Sequence, residues 1–167
     1  MVLGLGSNLG DSRCIILDAI SALEQLLAEL RAASLYETEP LYVTDQGRFI
    51  NTAVAGFYSG TPGELLSAIH GIEARFGRNR ALERRQGERT LDIDILLFGE
   101  LVMDLPACEN SPGLTIPHPR LKERRFALEP LLELLPDALE PETGLSYQSI
   151  CDALPDQGVR RITNNNS

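Results

Sequence analysis

The order in which hydrophobic patterns follow one another is the feature of this sequence that most constrains its fold. Short apolar or β-branched runs predict strands at four places along the chain, residues 2–5, 34–38, 49–58 and 91–98. Two amphipathic helices lie between them; the first is capped by Asp11 or Ser12, and its apolar stripe extends to Leu30. This order predicts a split βαβ arrangement with both helices on one face of an antiparallel sheet. The expected fold class is therefore α+β with a ferredoxin-like βαββαβ core.

Capping residues locate the start of the second helix. Thr61 is followed by a proline at the first helical position and by Glu64 three residues after the cap, which predicts a capping box. The buried stripe of this helix is expected to comprise Leu65, Ile69, Ile72 and Phe76. The following residues, from Arg78 to Arg89, are charged and have no buried face, so a mobile loop is expected there.

The last third of the chain has weaker patterns. A short strand and two short helices are predicted, at 101–103, 127–135 and 147–154. Two stretches with prolines and little periodicity are expected to be loops or single turns, 104–113 and 114–126. Because no linker divides the sequence, a single domain over residues 1–162 is expected, followed by a frayed tail at 163–167.

The composition excludes several classes of protein. The chain has 167 residues and a formal net charge of −9, which is the opposite sign from that of a general nucleic-acid or membrane-surface binder. Its three cysteines are widely spaced and form no C-x-x-C pair, so neither a disulfide framework nor a zinc site is indicated. No apolar run approaches the roughly 18 residues of a membrane span. A cytoplasmic protein is expected, a monomer or weak dimer acting on small molecules without nucleic-acid or membrane partners.

Two acidic residues on the last core strand are candidate metal ligands. Side chains alternate along a strand, so Asp92 and Asp94 point to one face while Ile93 points to the other. Same-face neighbours lie roughly 7 Å apart, a separation that two carboxylates can bridge through metal ions. Oxygen ligands without a nearby histidine or cysteine favour Mg²⁺. A D-x-D pair is short and common, however, and taken alone it fits an exposed strand edge better than a metal site.

Arginines are concentrated near these acids in an otherwise acidic chain. Nine of them fall in residues 75–89 and 120–125. Those from Arg78 to Arg89 immediately precede the aspartates, where a polyphosphate bound to metal ions requires its charge to be neutralised. The arginines therefore shift the balance towards a site for magnesium and a nucleotide phosphate.

Three other motifs are ambiguous by themselves. The glycine-rich residues 4–10 depart from the spacing of a dinucleotide fingerprint and lack a P-loop lysine, so a plain turn is the better interpretation. His118 lies between two prolines and is most simply a solvated loop histidine. Phe49 and Asn51 are ordinary strand sequence, and spacing alone does not identify them as part of a binding site.

Taken together, five motifs resemble those of the 6-hydroxymethyl-7,8-dihydropterin pyrophosphokinases of folate synthesis. They occur in the family's order within residues 2–135, at Gly6 to Gly10, Thr38 to Leu41, Phe49 to Asn51, Arg89 to Leu97 and Leu114 to Pro119. The resemblance implies a ferredoxin-like fold. It also implies Mg²⁺-dependent transfer of the β,γ-diphosphate of ATP to the hydroxymethyl group of a dihydropterin, with release of AMP.

The resemblance further implies roles for particular residues. Asp92 and Asp94 would bind two Mg²⁺ ions, and Arg78 and Arg89 would stabilise the transferring group. The ATP side of the site would comprise Glu73, Arg80, Ile95, Thr115, His118 and Arg124. The pterin side would comprise an aromatic pair, an asparagine and two backbone positions, namely Phe49 with Phe126, Asn51, and Thr38 with Leu41.

The loops next to these motifs are expected to act as lids that exclude water, because hydrolysis competes with phosphoryl transfer. They cover residues 42–48 and 78–89. In the second loop the family often has a tryptophan before a Gly-Pro-Arg sequence, whereas this chain has the run from Arg85 to Arg89 with Gln86 and Gly87 within it.

The sequence is also compatible with two other classes of function. A non-catalytic ferredoxin-like sensor of a small anion would use the arginines but would not need Asp92 and Asp94 together. A different Mg²⁺-dependent nucleotide enzyme, such as a nucleotidyl transferase, would release pyrophosphate rather than AMP.

Overall fold

Strands and helices alternate in the first two thirds of the chain, and short elements follow. The computed structural model describes residues 1–39, 46–78, 88–108 and 112–163. The strands are β1 (Val2–Ser7), β2 (Ala28–Ala32), β3 (Tyr36–Thr38), β4 (Phe49–Phe57), β5 (Asp92–Leu97), β6 (Met103–Leu105), β7 (Leu114–Ile116) and β8 (Arg160–Arg161). The helices are α1 (Ser12–Glu24), α2 (Pro62–Arg75), α3 (Arg125–Leu134) and α4 (Tyr147–Ala153), with a 3₁₀ turn at Leu121–Glu123. Each helix in the described ranges is too short or too polar to cross a membrane.

Among the described residues, the main sheet has six antiparallel strands. Its spatial order is β5-β1-β4-β3-β8, and β2 pairs with a different part of β4 from β3. Strand β1 is therefore central, between β4 and β5. Strands β6 and β7 form a separate two-stranded sheet.

The two faces of the main sheet are covered by different helices. Leu3, Leu5 and Ile93 pack in one core with α1 and α2. Val2 and Ala55 belong to a second core with α3 and α4 on the opposite face. The predicted α+β class with an antiparallel sheet is confirmed, and α1 and α2 lie on one face as the sequence predicts.

The predicted capping box at the start of α2 is present. Oγ1 of Thr61 accepts a hydrogen bond from the backbone N–H of Glu64 at 3.3 Å, and the Glu64 carboxylate accepts one from the N–H of Thr61 at 2.7 Å. These two bonds satisfy backbone donors that have no partner within the helix.

The first helix is shorter than its apolar stripe predicts. It ends at Glu24, and the residues from there to Leu30 belong to a turn and to β2. Leu27 is nevertheless buried, and Leu30 packs against the same core. The prediction was wrong because the turn and β2, whose Ala28 pairs with Phe57, return these side chains to the core at a spacing that imitates a helix.

Predictions were also wrong where strands are very short. The strand predicted at 101–103 lies at Met103–Leu105, and its partner β7 falls in a stretch predicted to be loop or a single turn. Strand β8 was not predicted. A strand of two or three residues has no readable period, and it forms only because another segment pairs with it. Of the predicted frayed tail, residues 164–167 lie outside the described residues.

Candidate active site

A concave pocket opens on the face of the sheet that carries α3. Strands β1, β4 and β5 form its floor, and the segment leading into α3 forms one wall. The lining includes the following residues predicted for the site: Thr38, Phe49, Asn51, Arg89, Asp92, Asp94, His118, Arg124 and Phe126. Residues from four of the five motifs, together with Arg124 and Phe126, are thus brought to one cavity, and Gly6 of the first motif lines it as well.

Two glycines of β1 keep the floor of this pocket open. In the antiparallel register, Gly6 lies between Asp92 on β5 and Asn51 on β4. Gly4 lies beside Asp94. A Cβ atom at Gly6 would be 2.9 Å from Oδ1 of Asn51, which is closer than such atoms normally approach. The glycine-rich motif, interpreted from sequence as a plain turn, therefore also supplies the open strand between the two halves of the site.

Asp92 is neutralised by two arginines. Its Oδ1 accepts a hydrogen bond from Nη1 of Arg78, and its Oδ2 accepts one from Nη1 of Arg89. Burial raises the pKa of the Asp92 carboxyl, but the charges of Arg89 and Arg78 outweigh burial and hold that pKa below its ordinary value. Asp92 is therefore ionised at neutral pH, and both arginines predicted to act in catalysis are directed at one carboxylate.

Asp94, on the same face of β5, has the opposite electrostatic environment. Burial raises its pKa to about 7, and the negative charge of Asp92 adds to the effect. Nε2 of His118 lies 3.8 Å and Nη1 of Arg124 lies 4.0 Å from its Oδ2. Because 38% of the Asp94 side chain is exposed, solvent and small ligands reach the carboxylate. The two aspartates together form an anionic position at the bottom of the pocket.

The aspartate pair fits Mg²⁺ better than a softer metal. Within the described ranges, no group of three or more His, Cys, Asp and Glu side chains is arranged to hold a metal. Two carboxylates suit Mg²⁺, which binds few protein oxygens and takes its other ligands from phosphates and water. A divalent cation there would offset the repulsion that raises the pKa of Asp94. Each oxygen of Asp92 accepts one hydrogen bond from an arginine and keeps a second lone pair, so a metal bound there would share the carboxylate with Arg78 and Arg89.

His118 is held as a neutral imidazole. Its Nδ1 accepts a hydrogen bond from the backbone N–H of Arg120 at 3.2 Å, which assigns the proton to Nε2, the nitrogen near Asp94. Burial and the charge of Arg124 lower the pKa of His118 to about 4. Its backbone N–H donates to the carbonyl oxygen of Leu96 at 3.0 Å, which attaches the loop to β5. His118 therefore presents an N–H donor, which suits a phosphate oxygen rather than a role as base.

The other end of the pocket is aromatic. Phe49 at the start of β4 and Phe126 in the first turn of α3 both line it. Buried Asn51 donates from Nδ2 to Oγ1 of Thr38 at 2.8 Å, which fixes the orientation of its amide. The guanidinium carbon of Arg124 lies 5.5 Å from the centre of the Phe126 ring. An apolar slot with a fixed amide at its edge suits a flat heterocycle with hydrogen-bonding groups.

Glu73 and Arg78 lie beside the pocket rather than in its lining. Glu73 is 1% exposed, and its Oε1 accepts hydrogen bonds from Nη1 of Arg78 and from the backbone N–H of Ile93, the latter at 2.9 Å. Arg78 thus bridges Glu73 and Asp92. Glu73, predicted to lie on the ATP side, here positions Arg78 and the start of β5.

Two further residues of the predicted ATP side have side chains outside the pocket. The side chain of Ile95 packs in the core beneath α1 and α2. Oγ1 of Thr115 donates to Oδ1 of Asp104 at 2.7 Å, across the β6–β7 pair. Any contact of Ile95 with a ligand in this conformation must come from its backbone.

Several predicted residues lie outside the described residues. They are Leu41, Arg80 and Gln86, together with most of the two predicted lids, 42–45 and 79–87.

Asn8 joins two sides of the pocket and was not predicted as a functional residue. Its Oδ1 accepts from the backbone N–H of Arg89 at 2.8 Å. Its Nδ2 donates to Oε1 of Gln46 at 3.0 Å and to the carbonyl oxygen of Gly47 at 3.4 Å. From sequence, an asparagine between glycines indicates only a turn, and the long-range contacts that give Asn8 its role become visible only in the fold.

Leu96 and Leu121 also line the pocket without having been predicted there. Both are buried, and both belong to the core beneath α3 and α4. Apolar residues at such positions are expected in any core, so nothing in the sequence distinguishes the pocket floor from the rest of the interior.

Comparison with protein families gives a match over most of the chain. The family described as 7,8-dihydro-6-hydroxymethylpterin-pyrophosphokinase matches residues 2–136. The 2-amino-4-hydroxy-6-hydroxymethyldihydropteridine pyrophosphokinase of Pseudomonas aeruginosa is 42% identical over 160 residues, which cover 95% of this chain and 93% of that protein. The enzyme of the same name from Bacillus subtilis is 40% identical over 134 residues, covering 79% of this chain and 75% of that protein.

Other relatives contain the matching region within a longer chain. The folic acid synthesis protein fol1 of Pneumocystis carinii is 36% identical over 161 residues, and the match covers 96% of this chain but 21% of that protein. The folate synthesis bifunctional protein of Pisum sativum is 40% identical over 150 residues, which are 89% of this chain and 28% of that protein. The chain therefore spans between about a fifth and about a quarter of the length of these relatives.

Solved structures with the same fold include the wild-type HPPK-DHPS of Plasmodium falciparum with SDX-DHP. It superposes with a TM-score of 0.71 at 17% identity, covering 90% of this chain and 42% of that one. The structural likeness concerns the fold, whereas the sequence matches establish kinship and confirm the predicted family. By the match over residues 2–136 and by 42% identity to a relative aligned over nearly all of its length, the chain belongs to the 7,8-dihydro-6-hydroxymethylpterin-pyrophosphokinase family.

Proposed function

We propose that this protein transfers the β,γ-diphosphate of ATP to the hydroxymethyl group of 6-hydroxymethyl-7,8-dihydropterin and releases AMP. The observation that carries the proposal is one pocket in which Asp92 and Asp94 lie beside a slot lined by Phe49, Phe126 and Asn51. The two aspartates suit a metal-bound polyphosphate, and the slot suits a flat acceptor. Membership of the pyrophosphokinase family supports the same reaction.

The acceptor end is proposed to bind the pterin by stacking and by hydrogen bonds. Two phenylalanines supply flat apolar surfaces on which a bicyclic ring can stack. Asn51 is held by Thr38, so its remaining amide groups are oriented before the ligand arrives. A buried, fixed amide discriminates among heterocycles because a mismatched ligand leaves it without a partner.

The phosphate end is proposed to act by positioning and charge. Arg78 and Arg89 are the donors nearest to Asp92, and a short movement would redirect them towards phosphate oxygens. Neutral His118 supplies an N–H donor, and Arg124 a positive charge, on the other side of Asp94. Phosphoryl transfer is catalysed mainly by such positioning and electrostatic stabilisation.

Mg²⁺ is proposed as the metal, with Asp92 and Asp94 as its protein ligands. When bound, it would neutralise phosphate charge and favour ionisation of the attacking hydroxyl group. Glu73 is proposed to keep Arg78 and the start of β5 in position for this site. Contacts of ATP with Arg80, Ile95 and Thr115, and of the pterin with Leu41, stay predictions.

The finer fold assignment is also a proposal. The order β5-β1-β4-β3, with α1 and α2 on one face, supports a ferredoxin-like core to which α3, α4 and the short strands are added. A single domain over residues 1–162, a cytoplasmic location and a monomeric or weakly dimeric state stay predictions.

Identification of the nucleotide product tests the proposed reaction. The protein is incubated with ATP, Mg²⁺ and 6-hydroxymethyl-7,8-dihydropterin, and nucleotides are separated by chromatography. AMP that forms only when the pterin is present is the expected result. Pyrophosphate release would instead indicate a nucleotidyl transferase, and binding without turnover would indicate a sensor.

A matched variant makes this test specific to the pocket. Asp94→Ala removes a proposed metal ligand without removing a core contact, so AMP formation is expected to stop while the melting temperature is no lower than that of the wild type. A folded Asp94→Ala protein with full activity would contradict the metal assignment.

A further inference from the structure

Strand β3 forms one wall of the aromatic end of the pocket. It has only three residues, and its register places Thr38 opposite Phe49 and Tyr36 opposite Asn51 on β4. Thr38 also holds the Asn51 amide through its hydroxyl group. A shift of this short strand would therefore move the groups that face a ligand in the slot.

The outer edge of β3 is covered by β8, near the end of the described chain. Tyr36 pairs with Arg161 and Glu37 pairs with Arg160 in an antiparallel register. The backbone N–H of Ile162 donates to the carbonyl oxygen of Leu35 at 2.7 Å. This pairing satisfies backbone groups of β3 that an open sheet edge would leave to solvent.

Side chains strengthen the contact through a cluster named here the Glu133 clasp, which comprises Ser34, Tyr36, Glu133 and Arg161. Glu133 accepts hydrogen bonds from the backbone N–H of Ser34 at 3.1 Å, from its hydroxyl at 2.9 Å, and from the hydroxyl of Tyr36 at 2.8 Å. Arg161 donates to Glu133 at 3.0 Å and to the hydroxyl of Ser34 at 2.9 Å. One carboxylate thus joins the entry to β3, the strand itself and β8.

The clasp also connects the two walls of the slot. Glu133 lies on α3, the helix that begins beside Phe126, and Tyr36 lies on the strand that carries Thr38. Fixing α3 to β3 therefore fixes the position of Phe126 relative to Thr38 and, through β4, to Phe49. The width of an aromatic slot determines whether a flat ring makes contact on both sides.

We infer that Arg161, together with β8, positions the acceptor end of the pocket and thereby sets its affinity for the pterin. This inference rests on the proposed function, and it goes beyond the family match, which ends at residue 136. Arg161 does not line the pocket. It acts through Glu133 on α3 and Ser34 before β3, whereas Asp92 and Asp94 of the phosphate end lie on β5, so its loss affects the pterin more than ATP.

The test compares Arg161→Ala with Arg160→Ala, a change on the same two-residue strand whose side chain takes no part in the clasp. Pterin affinity is measured by equilibrium fluorescence titration with a non-hydrolysable ATP analogue present, and ATP-analogue affinity is measured separately. Because exposed charged pairs carry modest energies, Arg161→Ala is expected to raise the Kd for the pterin about fivefold. The Kd for the ATP analogue, and both constants in Arg160→Ala, are expected to stay within about twofold of the wild type. Arg161→Lys, which keeps the charge, should recover part of the pterin affinity.

Equal pterin affinity in Arg161→Ala and the wild type would overturn the inference. So would a loss of affinity for both ligands that follows a lower melting temperature, because that pattern indicates general destabilisation. A wild-type protein that binds the pterin but makes no AMP would refute the proposed reaction alone, since the binding comparison still applies. Failure of the wild type to bind the pterin would overturn both.

Discussion

Asp92 and Asp94 are two residues apart on one strand face, yet their environments shift their pKa values in opposite directions. Asp92 is held ionised by Arg78 and Arg89, whereas burial and the neighbouring charge raise the pKa of Asp94 to about 7. Such a separation within one pair is typical of functional sites, where charge is arranged for a ligand rather than for stability. The pair therefore stores electrostatic repulsion that a bound cation would relieve.

The first prediction concerns this repulsion and its dependence on pH. The pKa of Asp94 is higher in the folded protein than in the unfolded chain, so its contribution to stability is complete below roughly pH 4 and is lost as pH rises towards about 7. Asp94→Asn avoids the loss. With a chelator present, the free energy of unfolding of Asp94→Asn should exceed that of the wild type by a margin that grows between roughly pH 4 and 7 and is constant above.

Urea unfolding of both proteins at several pH values measures this margin. The charged groups that act on Asp94, namely Asp92, Arg124, Arg89 and Glu73, are present in both proteins, so their own titration largely cancels in the comparison. A margin that does not change with pH would contradict the raised pKa.

Asn8 gives a second prediction at the residue scale. Asn8→Ala removes the acceptor for the backbone N–H of Arg89 and the donor to Gln46 and Gly47. Arg89 is proposed to stabilise the transferring group, and loss of this buried hydrogen bond would disturb its position. The kcat for AMP formation should therefore fall by about tenfold or more. Steady-state kinetics measure the effect, and Leu9→Ala, an exposed change in the same turn, is the control. Wild-type kinetics in Asn8→Ala would show that this contact does not matter.

At the scale of elements, β1 combines a structural and a functional role. Alternate residues of the strand, Leu3 and Leu5, build the core under α1 and α2, whereas Gly4 and Gly6 open the pocket on the other face. A strand with side chains on both faces would close the space between β4 and β5. The glycines therefore lower the strand propensity of β1, and they leave space for a binding site.

Gly6→Ala tests this role of β1. The new methyl group would lie 2.9 Å from Oδ1 of Asn51, whose amide is already bound to Thr38, so the slot must distort. The Kd for the pterin is expected to rise roughly tenfold or more, since small displacements of positioned groups have large effects. Gly71→Ala, on α2 with open space around it, is the matched control and should leave this Kd unchanged. The idea fails if both variants bind the pterin as the wild type does.

In helix α2, the residues expected to affect stability and those expected to affect activity lie at opposite ends. Its capping box at Thr61 lies at the opposite end of the helix from Glu73, which supports the site. Thr61→Ala should lower the free energy of unfolding by about 1 kcal/mol, and kcat should not change. Thr61→Ser should restore the lost stability, as measured by thermal or urea unfolding. A large fall in kcat for a folded Thr61→Ala protein would mean that the cap influences the pocket.

At the scale of the whole molecule, the sheet separates two cores and places the site on one of its faces. The order of the main strands and helices follows from local periodicity and from the cap at Thr61, and for this reason it could be predicted. The continuation of the first helix to Leu30 was wrong because sequence spacing does not distinguish a helix from a turn and a strand that fill the same core. Strands β7 and β8 form only by pairing with β6 and β3, and their few residues carry no pattern.

The site could be predicted only in part for related reasons. The position of Asp92 and Asp94 on one face of a strand, and the arginines before them, are local features with direct chemical meaning. The burial of Glu73 against Arg78, the attachment of Thr115 to Asp104 and the contacts of Asn8 depend on tertiary structure. The aromatic slot was accessible through family resemblance alone, because phenylalanine on a strand is most often a core residue.

The most direct test of the account is phosphorus NMR of the products formed from ATP, Mg²⁺ and 6-hydroxymethyl-7,8-dihydropterin. If the pocket aligns the pterin hydroxymethyl group with the β-phosphorus of ATP, AMP and a pterin diphosphate should accumulate in equal amounts, and neither should form with Asp94→Ala. Accumulation of ADP with a pterin monophosphate, or of free pyrophosphate with a nucleotidylated product, would contradict the account.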